Sequence, residues 1–242
     1  MVKRIGLSMP KRVDRAILIG GDSNTEWQVP WFLENYAKHN NRFPICFANF
    51  GVSERFYKWI TSHPMIWCTM DLVKNIPEEK RQKAWFYKPV SMANIPAKEC
   101  FWIDTDCEIM GNISGLFDYI EDNKLSMVKD KPWSKRMETE MYNSGVVGFR
   151  GRPHILLQWI KAIEENPIRG DQETLHAHLN PITRMTYIKE VPNEYNWLRL
   201  QIESDNQPAK NAKIIHWTGD KGKDRIRGKI KIAESMRKMQ NA

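Results

Sequence analysis

The chain has 242 residues, of which 41% are apolar and ten are tryptophan. That is enough for one substantial core and too much for a disordered chain. No apolar run approaches the roughly 20 residues a membrane span needs, and the formal charge of +8 suits an anionic ligand, a nucleic acid or an anionic membrane without choosing among them.

The N-terminal stretch from Met1 to Pro10 has a basic start but no apolar h-region, so no secretory leader is expected there. Residues 15–20 read as a buried strand ending in the pair Gly20-Gly21. Residues 27–40 are loosely helical, residues 44–50 form a second strand, and residues 53–62 read as helix again. A third apolar stretch surrounds Met65-Ile66-Trp67-Cys68. Residues 80–94 look helical up to Pro89, which is expected to stop or bend that helix. Cys100-Phe101-Trp102-Ile103 is a short buried strand. Strand alternating with helix over this first part predicts a parallel α/β sheet. Beyond residue 110 the pattern changes. Residues 125–128 and 145–149 read as strands, 154–165 as a helix, and a further helix opens near Asp171. Thr186-Tyr187-Ile188 and residues 213–217 read as late strands. The expectation is one α/β domain spanning residues 1–242, a mixed and mainly parallel sheet with helices on both faces and a basic tail from about residue 219.

Cys46, Cys68, Cys100 and Cys107 show no CxxC spacing, and three lie in apolar, strand-like surroundings. They read as buried free thiols in a reducing compartment, which makes the expected location cytoplasmic. The tail from Lys221 to Ala242 carries eight Lys or Arg against Asp224 and Glu234. Ile226, Ile230 and Ala233 repeat at helical spacing, and so do Ile232, Met236 and Met239. Such a helix either lies on an anionic membrane as a peripheral contact or packs on the domain with its basic residues solvated.

The chemistry centres on Phe101-Trp102-Ile103-Asp104-Thr105-Asp106. An apolar strand runs into two carboxylates, at the strand end where open α/β sheets bind ligands. Two adjacent carboxylates repel unless a cation joins them. Hard cations such as Mn²⁺ or Mg²⁺ take carboxylate oxygens and leave positions for substrate phosphates. Taken alone the pair is a weak signal, since two solvated Asp in a loop look the same. Lys213 to Lys223 then places His216 at a strand end, followed by Gly219 and two lysines. An imidazole can be a third ligand, Gly219 lets backbone approach a phosphate, and an ammonium binds one as a point charge. By itself His216 reads first as a core histidine. Tyr142 to Phe149 reads as a turn into a strand, and Gly170-Asp171-Gln172-Glu173 as a helix start with Asp171 as N-cap.

The ordered set is more specific than its members. DTD after a strand, YNSGVVGF, GDQ and HWTG followed by lysine resemble the GT-A glycosyltransferases of family 8, the group containing glycogenin and bacterial lipopolysaccharide galactosyltransferases. The resemblance runs from about residue 15 to 223. It includes Gly111 to Phe117 after the DxD, and Lys88, sixteen positions before Asp104, where the family usually has Arg. It implies a GT-A (Rossmann-like) fold and transfer of a sugar from a nucleotide diphosphate, with uridine the expected base and retention the expected outcome. Asp104, Asp106 and His216 would bind the metal. Gly20, Gly21 and Asp22 would line base and ribose, with Thr105, Asn143 and Ser144 also lining the donor site. Lys88 would touch the diphosphate or donor sugar, and Gly145 would allow a close backbone approach. Asp171 and Gln172 would face the transferred sugar and a saccharide, lipid-linked or protein acceptor. Gly219 with Lys221 or Lys223 would meet the leaving diphosphate. The family's closing motif reads HxxGxxKPW. Here Gly222 holds the Lys place and no PW follows.

Two other classes share parts of this pattern. Haloacid dehalogenase-type phosphatases also put DxD after a strand, with Asp104 then the nucleophile. Their motif continues with Thr or Val where this chain has Glu108, and it usually opens the chain. A basic domain with tryptophan platforms could bind nucleic acid. Most of the tryptophans lie in apolar patterns and read as core, so no nucleic-acid partner is expected. Trp133 and Trp197 sit in polar stretches, suited either to stacking on an acceptor sugar or to loop packing.

Overall fold

The computed structural model describes residues 11–39 and 42–240, and the side chains among them up to residue 238. The N-terminal segment read as carrying no leader lies outside these residues, as does the side chain of Met239. Ten strands and nine α-helices follow in order along the described chain: β1 Val13–Gly21, α1 Val29–Lys38, β2 Ile45–Asn49, α2 Glu54–Ser62, β3 Ile66–Asp71, α3 Lys88–Asn94, β4 Ala97–Ile103, β5 Cys107–Ile109, β6 Leu125–Lys129, α4 Lys131–Met137, β7 Tyr142–Arg150, α5 His154–Glu165, α6 Asp171–Ala177, α7 Pro181–Tyr187, β8 Ile188–Val191, β9 Trp197–Leu198, α8 Arg199–Glu203, β10 Ile214–His216 and α9 Gly219–Gln240.

Seven strands form one sheet in the order β3-β2-β1-β4-β7-β6-β8, and β5-β10-β9 form a small second sheet. β1, β2, β3 and β4 run parallel, and β7 is antiparallel to both its neighbours. Alternation along β1 sends Ala16 and Leu18 to one face and Ile17 and Ile19 to the other, each into a separate buried cluster. The first cluster takes Met92 of α3 and Ile155, Leu156 and Trp159 of α5. The second takes Phe32, Leu33 and Tyr36 of α1 and Ile60 of α2. The fold is thus the mixed α/β sheet with helices on both faces that the sequence predicts. All four cysteines are free and buried.

Two local expectations fail for identifiable reasons. Residues 80–94 are not one helix. A 3-10 turn at Ala84–Tyr87 precedes α3, and Pro89 sits in the first turn of α3, where the missing N–H has no partner to lose. Thr186 and Tyr187 end α7 instead of starting a strand, which begins at Ile188. The basic tail is the helix its spacing predicts, α9, and its two apolar stripes have different fates. Ile226 is buried with Trp31, Ile215 and Trp217, and Ile230 packs on them. Ile232 and Met236 face outward, 61% and 56% exposed. Glu108 fixes the helix by accepting from Lys229 Nζ at 2.9 Å and from Trp217 Nε1 at 2.8 Å. Among the described residues no helix is long and apolar enough to cross a membrane.

Candidate active site

A pocket of about 530 Å³ opens beyond the carboxyl ends of β1 and β4. β4 ends at Ile103, and Asp104 continues it by one hydrogen bond, its N–H donating to the Gly145 carbonyl at 2.8 Å. The chain then turns into β5, so Asp104 and Asp106 both reach the pocket wall. Opposite them, the β6–β7 register jumps between Met127 and Val128, whose partners are Val147 and Asn143. A bulge of this kind re-aims side chains, and here it presents Asn143, Ser144 and Gly145 to the pocket.

β10, paired antiparallel to β5, delivers His216. Its Nε2 lies 3.1 Å from Asp106 Oδ1 and 3.8 Å from Asp104 Oδ2. Its Nδ1 lies 3.1 Å from Oδ1 of both Asn143 and Asn196. These oxygens accept, so Nδ1 carries the proton and Nε2 is turned to the carboxylates. The amide of Asn143 is itself oriented, because its Nδ2 donates to the acceptor-only carboxylate of Asp130 at 3.1 Å. No sequence motif singles out Asp130. It is fully buried, and it also caps α4 by accepting from Trp133 N at 3.0 Å and receives Gln172 Nε2 at 3.2 Å. Gly145 has to be glycine, since a Cβ there would lie 2.1 Å from His216 Cε1.

The electrostatics follow from this crowding. Burial pushes the Asp104 carboxyl up, and neighbouring Asp106 adds to the effect against the pull of Lys88. Burial also works to raise Asp106, but His216 outweighs it and holds Asp106 below the usual carboxylate range. His216 is held above the ordinary imidazole value: burial opposes its charge, and Asp106 and Asp104 overcome it. Lys88 is buried, with Nζ 3.1 Å from Asp104 Oδ1 and 3.0 Å from Asp171 Oδ2. Burial works against its charge, and the two carboxylates keep it protonated above the usual lysine range.

Asp171 is not the N-cap of α6. Gly170 is, without a side-chain cap bond, and Asp171 is the first helical residue with its carboxylate drawn to Lys88. Gln172 lines the pocket with its polar atoms already engaged. Its Oε1 accepts from Asn143 Nδ2 and Ser144 N at 3.1 Å, and its Nε2 donates to Asp130. Gly20, Gly21, Asp22 and Thr105 also line the pocket. Asp22 shapes its own loop through Asn24 N at 3.1 Å and Thr25 Oγ1 at 2.8 Å, and Thr105 Oγ1 donates to Gln28. Gly219, at a positive φ of 72° that favours glycine, lines the pocket with Lys223 where α9 begins. Lys221 points to solvent outside the lining. Gly222 explains the departure from HxxGxxKPW. A Cβ there would lie 1.9 Å from the Trp217 carbonyl oxygen, so no Lys fits and the pocket lysine is the next residue. Trp133 lines the pocket, while Trp197 packs half-buried against the Trp217 cluster.

Asp106, Cys107 and His216 bring ligand atoms within 4.8 Å of one another. Cys107 is a poor third partner for a hard cation. Its sulfur is soft, and burial together with the flanking carboxylates holds the thiol well above its ordinary value. The oxygens of Asp104 and Asp106 and the Nε2 of His216 form the better donor set. The carboxylates of Asp104, Asp106 and Asp171 line the pocket, and such a group fits a cation.

No protein-family model and no curated protein matches the chain. Solved structures do. The chain is similar to the glycosyltransferase GlyE of Streptococcus pneumoniae TIGR4, at a TM-score of 0.64 and 17% identity over 86% of this chain and 56% of that one. It is similar to the bifunctional glycosyltransferase WbbM (TM-score 0.61, 14% identity, 89% and 47% covered). An active-site mutant of LgtC gives a TM-score of 0.61 at 12% identity, with 85% and 88% covered. This is a GT-A fold. The chain spans about half the length of GlyE and WbbM, and these likenesses establish the fold alone.

Proposed function

We propose that the chain is a metal-dependent glycosyltransferase of the family 8 type, taking a sugar from a nucleotide diphosphate, with UDP as the carrier. The observation that supports this most is the convergence of Asp104, Asp106 and His216 Nε2 in the wall of a pocket large enough for such a donor. A divalent cation at these residues, Mn²⁺ or Mg²⁺, would neutralise charge on the departing diphosphate. Lys223 and the N-terminus of α9, with the open backbone at Gly219, offer further positive charge to phosphate. Lys88 holds Asp104 and Asp171 in place and stays charged throughout. In the transfer, a bond forms between the acceptor hydroxyl oxygen and the anomeric carbon while the bond from that carbon to the diphosphate oxygen breaks. The hydroxyl proton passes to the leaving diphosphate, so attack on the same face retains configuration without a strong general base. Asp171 and Gln172 then act by position, Asp171 beside the transferred sugar and Gln172 by fixing the Ser144 backbone. The described residues form one catalytic unit on this reading.

The phosphatase reading asks Asp104 to be a free nucleophile, but Trp102 Nε1 donates to its Oδ1 at 2.6 Å and Lys88 pairs with it. The nucleic-acid reading asks for grouped tryptophan faces, whereas Trp31, Trp102, Trp159 and Trp217 are buried. The deciding experiment is calorimetric titration of UDP with and without Mn²⁺ into the wild type and Asp106→Asn. Removing one metal ligand should lower Mn²⁺-dependent affinity by more than about 100-fold, with an unchanged melting profile. Unchanged affinity would reject the assignment, and tighter Mn²⁺-dependent binding of GDP would reject UDP. Exposed Ile232 and Met236 beside the lysines of α9 also support peripheral contact with an anionic membrane. Replacing both by Ser should abolish low-salt sedimentation with phosphatidylserine vesicles, and equal pelleting would remove that role.

A further inference from the structure

The mouth of the pocket is chemically unlike its floor. Trp133 at the start of α4 and Arg169 in the loop before α6 both line it. Arg136, one turn beyond Trp133, holds its guanidinium 5.3 Å from the centre of the Trp133 ring, and Arg169 holds its own at 5.8 Å. Two like charges are therefore drawn to one aromatic ring at the edge of a cavity. Some other surface arginines meet acids, Arg15 and Arg150 at Glu99, Arg225 at Glu203 and Arg227 at Asp224, while Arg81 and Arg152 bond to backbone carbonyls. Among the described residues neither Arg136 nor Arg169 has a carboxylate within ion-pair distance. Glu173 lines the same mouth and pairs with neither. A ring can gather guanidiniums by its quadrupole, but it does not neutralise them.

We propose that this mouth is the acceptor subsite and that the acceptor is an anionic saccharide bearing a carboxylate or a phosphate. Guanidinium forks match both groups with paired N–H donors. Trp133 holds the two forks in position, and α4 is in turn fixed to the floor through the Asp130 cap. Arg169 lies two residues before Asp171, which places the anion site next to the carboxylate assigned to the transferred sugar. Glu173 offers an acceptor to the saccharide hydroxyls. The inference rests on the glycosyltransferase reading, which alone makes the mouth an acceptor site.

The test uses the full chain with Mn²⁺ and UDP at about 50 mM salt, where screening is modest. Three probes are titrated: a glucuronic-acid-terminated disaccharide, glucose 6-phosphate and a neutral glucose disaccharide. Binding is read by calorimetry. At least one charged probe should bind roughly tenfold tighter than the neutral one, and which one does so identifies carboxylate or phosphate. Arg136→Gln with Arg169→Gln should erase that preference and leave Mn²⁺-dependent UDP binding within about twofold. Equal binding of charged and neutral probes overturns the proposal, as does a double variant that keeps the preference. A double variant that loses UDP instead assigns the guanidiniums to the donor and also overturns it. Wild-type protein that fails to bind UDP with Mn²⁺ rejects the glycosyltransferase reading, a separate result from the same series.

Discussion

Behind the pocket, Asp130, Asn143, Asn196 and His216 are buried and joined by hydrogen bonds of 2.9 to 3.1 Å. At its mouth, Trp85 is 42% exposed and Arg169 reaches solvent, as does Arg136 over the Trp133 ring. The floor has removed its polar groups from water, so each must keep its partner or cost stability. The mouth has not, so its groups can move onto a ligand and off it again. On the proposed reading, the fixed geometry suits a metal and a diphosphate, and the adaptable charge suits a variable acceptor.

The largest departure from this contrast is expected from Asp130→Ala. Asn143, Gln172 and Trp133 N would lose their shared acceptor inside the fold. We expect a loss of about 3 kcal/mol, seen as a melting temperature lower by roughly 6–12 °C. A change under about 0.5 kcal/mol would mean that water replaces the carboxylate and that the floor is not rigid. Gly145→Ala comes next. The added methyl must displace the His216 ring, and Mn²⁺ affinity should fall roughly tenfold, measured by calorimetry.

The His216 charge gives a pH signature of opposite sign with and without metal. Its folded pKa is raised above the ordinary value of about 6.5. In EDTA the stabilisation from its pairing with Asp106 is therefore complete below about 6.5 and lost as pH rises through the folded value. The metal needs the neutral ring, so the Mn²⁺-induced rise in melting temperature should grow over that same window. A metal increment independent of pH would remove His216 from the ligand set. The smallest effect is expected at the mouth: Trp85→Ala should change stability by no more than about 0.5 kcal/mol in chemical denaturation.

Much of this contrast is hidden in the sequence. The DxD strand is legible because Phe101-Trp102-Ile103 is apolar and the carboxylates follow at once. His216 is legible through the order of the motifs. Asp130 is not, because Lys129-Asp130-Lys131 reads as a solvated charged turn, and only the pairing of β6 with β7 reveals that it faces inward. Asn196 lies in a polar loop with no periodicity to read. Pro89 misleads because proline breaks a helix interior and suits a first turn equally well. The two stripes of α9 are both visible as spacings. Which one is buried depends on Trp31 and Trp217, residues from distant parts of the chain.

Glu108 and Trp217 are 109 residues apart in the chain and meet at 2.8 Å. Next to them, β10 closes onto β5 and brings His216 to Asp106. In chain order all seven strands of the large sheet precede β10, since the last of them, β8, ends at Val191. A chain ending before β10 would hold Asp104, Asp106 and Lys88 without the imidazole of His216. On the proposed reading a divalent cation would find all three ligands only once β10 has paired with β5, and a nascent chain halted before β10 would lack His216.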